Sequence, residues 1–127
     1  MNAENTKKLV EAYPILYRQV GGDPKETCMC FGFECGDGWF DIINEVSAKL
    51  EEVNKAVKDG DYHITALQVK EKFGSLRFYV GGANAEQYLW IEEAEMKSET
   101  TCESCGKPGE ARGGRWVQTL CDECHKK

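Results

Sequence analysis

The sequence contains no apolar run approaching the roughly 20 residues that a membrane-spanning helix needs, and its first eight residues lack the hydrophobic core of a secretory leader. Both absences predict a cytoplasmic protein with no membrane association. No internal repeat and no low-complexity tract is present, which excludes a solenoid and an extended disordered region. An excess of basic residues is missing too. Asp and Glu number 22 against 16 Lys and Arg, a formal charge of −6 that disfavours nonspecific attraction to a phosphate backbone. What remains is a chain of 127 residues, 41% hydrophobic and 30% charged, enough for one modest core and one small appended module.

Seven cysteines in a short chain raise the question of a disulfide scaffold, but an odd number cannot all pair internally, and four of them have metal spacing. Cys102-x-x-Cys105 and Cys121-x-x-Cys124 are separated by fifteen residues, which predicts four thiolates at the corners of a tetrahedron around one structural Zn²⁺. Four cysteines fill the coordination sphere, leaving no open position for catalytic water and no need for His125, the neighbour of Cys124, as a substitute ligand. Gly106 suits a tight knuckle after Cys105, and Gly113-Gly114 lets the intervening chain turn back as a hairpin. Residues 101–127 hold five Lys/Arg and four Asp/Glu. With a metal–thiolate centre of about −2, even this module is not a strong nucleic-acid patch.

Periodicity places the other elements. Leu9, Val10, Tyr13, Leu16 and Tyr17 recur at helical spacing, and Pro14 divides the segment 5–18 into two short helical pieces. A turn cluster at residues 21–24 precedes a half-buried strand over 27–35, with Met29, Phe31, Phe33 and Cys35 facing inward. A helix over 38–59 is expected from Trp39, Ile42, Ile43, Val46, Leu50, Val53 and Val57, capped by Asp37 and stopped by Gly60. Residues 62–70 and 76–80 read as a β-hairpin with a five-residue loop. Asn84 and Gln87 form a capping box for a helix to about Ser98, with Tyr88, Ile91 and Met96 for the core. The fold class is therefore α+β: a small antiparallel sheet of about three strands packed by two helices (residues 1–98), followed by a zinc-ribbon or knuckle module (residues 99–127).

Three groups of residues outside the metal set carry chemistry. Cys28, Cys30 and Cys35 with His63 are considered as a second metal site, but on a strand Cys28 and Cys30 face away from Cys35. Cys35 before a helix start, with His63 as base, has the makings of a thiol nucleophile, against the simpler reading of a small buried apolar residue. The loop 34–38 has two glycines ahead of a helix, as a phosphate cradle does. Its Glu34 and Asp37 repel an anion, though, and neither a Walker pattern nor G-x-G-x-x-G is present, so capping explains it better. The hairpin concentrates cations and aromatics: Arg77 and Tyr79 share one strand face, opposite Leu76, Phe78 and Val80, and Lys70 and Lys72 add charge. Arg112, Arg115 and Trp116 repeat that chemistry in the cysteine module. Such a combination grips phosphate and stacks a base, or else simply keeps a solvated hairpin from aggregating.

The segments FGFECGDGWF (31–40) and QVKEKFGSLRFY (68–79), together with the four-cysteine tail carrying Trp116 and Thr119-Leu120-Cys121, resemble a group of small uncharacterised proteins encoded by phages and prophages. The resemblance implies an accessory protein made inside a bacterium and acting by stoichiometric binding. Joined to the residues, it favours a non-enzymatic binder that sequesters an anionic nucleotide-type host-defence signal through Lys70, Lys72, Arg77 and Tyr79, with Arg112, Arg115 and Trp116. The alternatives are an adaptor whose zinc module binds a host or phage protein, with nucleic acid less favoured, and a thiol enzyme using Cys35. A homo-oligomer is compatible with each.

Overall fold

The computed structural model describes residues 1–58 and 62–126. Helix α1 spans Ala3–Ala12, begun by the Asn2 side chain accepting from the Asn5 N–H, and it stops at Tyr13 just before Pro14. The second helical piece expected after Pro14 is a run of turns instead. Its first two backbone N–H groups are satisfied from elsewhere, Ile15 and Leu16 donating to the carboxylate of Glu51 at 2.9 and 3.0 Å, while the N–H groups of Tyr17, Arg18 and Val20 donate within the segment to the carbonyls of Tyr13, Ile15 and Tyr17.

The strand expected over 27–35 is mostly a 3-10 turn, Cys28–Phe31, followed by a two-residue strand β1, Phe33–Glu34. Two local features defeat the extended reading. Thr27 caps the turn by accepting from Met29 N–H, and Gly32 takes φ 68°, a left-handed conformation that no strand continues through. Met29, Phe33 and Cys35 still reach the core, while Phe31 is 65% exposed.

A second 3-10 turn, Asp37–Trp39, leads into helix α2, Phe40–Ala56. Asp37 does not cap α2 as expected. Its carboxylate accepts from Asn2 N–H and Asn5 Nδ2 and so ties down the start of α1, which holds its pKa below the ordinary value. Trp39, Ile42, Ile43, Val46 and Leu50 are buried, Val53 is partly so, and Val57 lies past the helix in extended conformation. The helix stop expected at Gly60 lies outside the described residues. A polar stripe of α2 is buried as well: Ser47 bonds Tyr17 Oη, and Asn54 bonds both the N–H and the carbonyl of Ile64.

Strands β2 (Thr65–Lys72) and β3 (Ser75–Gly81) complete a sheet of order β1-β2-β3. It is mixed rather than antiparallel, because β1 pairs parallel to β2 with α2 as the crossover between them. The hairpin loop has two residues, not five. Phe73 and Gly74 carry φ 55° and 80°, as a primed turn matched to strand twist requires. A bulge at Leu67 separates the Ala66 and Gln68 pairings.

Helix α3, Ala85–Ser98, opens with the expected Asn84–Gln87 capping box. It lies along the outer edge of β3, where Leu76 N–H donates to Ser98 Oγ, Phe78 N–H donates to Glu95 Oε2 and Tyr88 Oη donates to the Val80 carbonyl. Because the helix meets a strand edge through polar side chains, its inward face is mixed. Gln87, Ile91, Ala94 and Ser98 are buried, while Tyr88 and Met96, expected in the core, are exposed. The chain then enters the cysteine module, a small antiparallel pair β4 (Glu110–Arg112) and β5 (Gln118–Leu120) and a short helix α4, Asp122–His125.

Candidate metal centre and adjoining cleft

Two knuckles bring the cysteines together. Around the first, Cys102 N–H donates to the Lys107 carbonyl at 2.7 Å and Gly106, at φ 85°, donates back to the Cys102 carbonyl at 2.9 Å. In the second, Cys121 stands at the start of α4 and its Sγ accepts from Cys124 N–H at 3.4 Å. The four sulfurs of Cys102, Cys105, Cys121 and Cys124 lie within 4.8 Å of one another, with Cys105 and Cys121 at 3.6 Å. Tetrahedral coordination with Zn–S near 2.3 Å puts sulfurs roughly 3.8 Å apart, so this donor set fits a metal ion. All seven cysteines are free thiols. Burial opposes ionisation of Cys102, yet the backbone groups of Cys121, Cys105 and Ser104 aimed at its sulfur bring that thiol down to about 6, the state a metal ligand must adopt. His125 is not part of the cluster.

The module is seated on the body by the two glycine-bearing loops that stand out in the sequence. Gly38 N–H donates to the Glu103 carbonyl at 2.7 Å, Gly36 N–H to the Glu103 carboxylate at 2.8 Å, and Trp39 Nε1 to the Thr101 carbonyl at 2.8 Å. The backbone N–H groups that made residues 34–38 look like a phosphate cradle are thus occupied by oxygens of Glu103. Burial raises the pKa of that carboxyl, and the Gly36 hydrogen bond only partly offsets it. At the hairpin tip, Thr119 Oγ1 donates to the Gly74 carbonyl at 2.6 Å.

Strand register collects the cationic residues. Lys70 is the direct partner of Arg77, Gln68 of Tyr79 and Lys72 of Ser75, so Lys70, Lys72, Arg77 and Tyr79 share the sheet face turned away from α2. Glu34 pairs with Lys70 on the β1 side, and Glu95 lies near Arg77 on the α3 side. Lys70, Lys72, Arg77 and Arg115 form no ion pair among the described residues. Arg77 Nε is the sole buried side-chain polar atom without a hydrogen-bond partner among those residues.

At the end of this face lies a cleft of about 250 Å³ between the two hairpin tips, lined by Glu71, Lys72, Phe73, Arg115, Trp116 and Val117. It unites Lys72 with Arg115 and Trp116 and adds Phe73, which the charge pattern alone did not single out. The available signal was the Phe-Gly pair at the centre of a two-residue turn. Arg112 stands apart. Its guanidinium bonds Asp122 at 2.6 Å and the Leu120 carbonyl at 3.2 Å, with Glu110 at 3.5 Å, so it braces the cysteine module.

Cys35 and His63 are not brought together. Parallel pairing of Glu34 with Lys70 sets Cys35 beside the far end of β2, whereas His63 precedes the first residue of that strand, Thr65, and the strand between them spans about 20 Å. Burial pushes the Cys35 thiol up to about 12, a poor start for a nucleophile.

Fold and site define a small α+β protein whose C-terminal four-cysteine cluster is fit to hold a metal ion. Compared with family models, curated proteins and solved structures, the chain matches none. No helix among the described residues is long and apolar enough to cross a membrane.

Proposed function

We propose that the protein is a non-enzymatic, stoichiometric binder of a small nucleotide-type anion, with one Zn²⁺ held by Cys102, Cys105, Cys121 and Cys124 as a structural clamp. Bound there, the metal crosslinks the two knuckles and fixes the β4–β5 hairpin, a task that four thiolates and a closed coordination sphere suit. The observation that carries the reading is the cleft: two cations that form no ion pair among the described residues, Lys72 and Arg115, flank two exposed aromatic rings, Phe73 and Trp116, while the one carboxylate of the lining, Glu71, is engaged by the Gly74 N–H. Lys70 and Arg77 extend the positive strip along the sheet face. An acidic protein with one local cationic and aromatic site suits a small anion better than a polymer. Capture of a signalling nucleotide before it reaches its receptor is the role that accords with the phage-type resemblance.

Native mass spectrometry and thermal denaturation with a panel of linear and cyclic nucleotides test the reading. One zinc per chain is expected, removable by chelator with a fall in Tm, and a saturating nucleotide should raise Tm by several degrees. Absence of any nucleotide-dependent shift overturns the binder; absence of metal overturns the clamp.

A further inference from the structure

Phe73 sits at the first position of the hairpin turn with φ 55°, where a bulky side chain is disfavoured and Asn, Asp or Gly is the usual occupant. Nor does burial offset that strain, for the ring is 72% exposed. A residue costly to both backbone and solvation is explained by contact with something outside the chain. Across the cleft Trp116 is 77% exposed on the β4–β5 connection. The two tips are held at a defined separation: Thr119 Oγ1 donates to the Gly74 carbonyl, and a Cβ on Gly74 would come within 3.2 Å of both Val117 and Thr119. Lys72 Nζ lies over the Phe73 ring, 5.5 Å from its centre, so positive charge already rests against one face of the aromatic surface.

We infer that Phe73 and Trp116 are the recognition residues for a planar heteroaromatic ring of the ligand, while Lys72 and Arg115 take its anionic group. This rests on reading the cleft as an anion site and adds the ring as the determinant of specificity. Stacking is tolerant of sequence and edge, so the pair selects for flatness and π-character, and the cations select for charge. Phe73 thereby trades stability of the turn for affinity.

Isothermal titration of the zinc-loaded protein with the nucleotide panel, the matching nucleosides and pyrophosphate separates the two contributions. The best nucleotide should bind at least tenfold more tightly than either its nucleoside or pyrophosphate. Phe73→Asn should weaken that nucleotide tenfold or more and raise Tm, because Asn-Gly suits the turn; Phe73→Tyr should restore the affinity. Unchanged nucleotide affinity in Phe73→Asn, or pyrophosphate binding as well as the nucleotide, overturns the aromatic determinant and leaves the anion site standing. A Tm that falls in Phe73→Asn overturns the trade-off. No binding by any anion removes the site and this inference together.

Discussion

Gly38 donates its backbone N–H to the Glu103 carbonyl, and a methyl group on its α-carbon would run into the carbonyl oxygen of Cys102. The obstruction is main chain, anchored in the first cysteine knuckle, so it cannot swing aside. Gly38→Ala should therefore cost on the order of 2 to 3 kcal/mol, measured by urea denaturation, through steric displacement of the module. Gly114→Ala is the control: open space surrounds that position, and stability should change by less than about 0.5 kcal/mol.

Glu51 lies on α2 with 1% of its surface exposed and accepts hydrogen bonds from Ile15 N–H, Leu16 N–H and Asn54 Nδ2. Replacement by leucine keeps much of the volume but strands two backbone donors. Glu51→Leu should destabilise the protein by about 3 kcal/mol, and Glu51→Gln, which keeps one acceptor oxygen, by about half as much. Equal stability of Leu and wild type in denaturant titration contradicts this account of the turn after α1.

Glu95 carries a pKa raised above the ordinary carboxylate value, by burial first, against the lowering effects of the Phe78 hydrogen bond and the charge of Arg77. A raised folded-state pKa means that its contribution to stability is fully present below the unfolded value and is lost as pH rises through the folded one. Glu95→Gln retains an acceptor for Phe78 N–H without the charge. The two proteins should be equally stable near pH 3, with the glutamine variant pulling ahead as pH rises toward neutrality, as followed by Tm across that range.

Legibility in the sequence tracked the range of the interaction responsible. The cysteine spacing, the Asn84–Gln87 capping box and the apolar stripe of α2 are local patterns, and each is found in the structure. Alternation at Arg77, Phe78 and Tyr79 likewise divided the sheet faces, and the pairing of Lys70 with Arg77 then follows from register. Residues 27–35 misled because alternation cannot reveal that Thr27 caps a turn or that Gly32 goes left-handed. Ser47, Glu51 and Asn54 look like a solvated helix face until the chain that they satisfy, from Ile15 and Ile64, is laid against them. Gly36 and Gly38 read as a cap or a cradle, since their partner Glu103 lies more than sixty residues away.

The polar side chains that α3 sets against β3 have a bearing on how this protein meets others. Ser98 and Glu95 take up the outward amides of Leu76 and Phe78, and Tyr88 covers the Val80 carbonyl. A foreign strand seeking to lengthen the sheet on that flank would find three of its ladder positions already taken and the helix that takes them alongside, which opposes both recruitment by strand addition and the edge-to-edge stacking that begins aggregation.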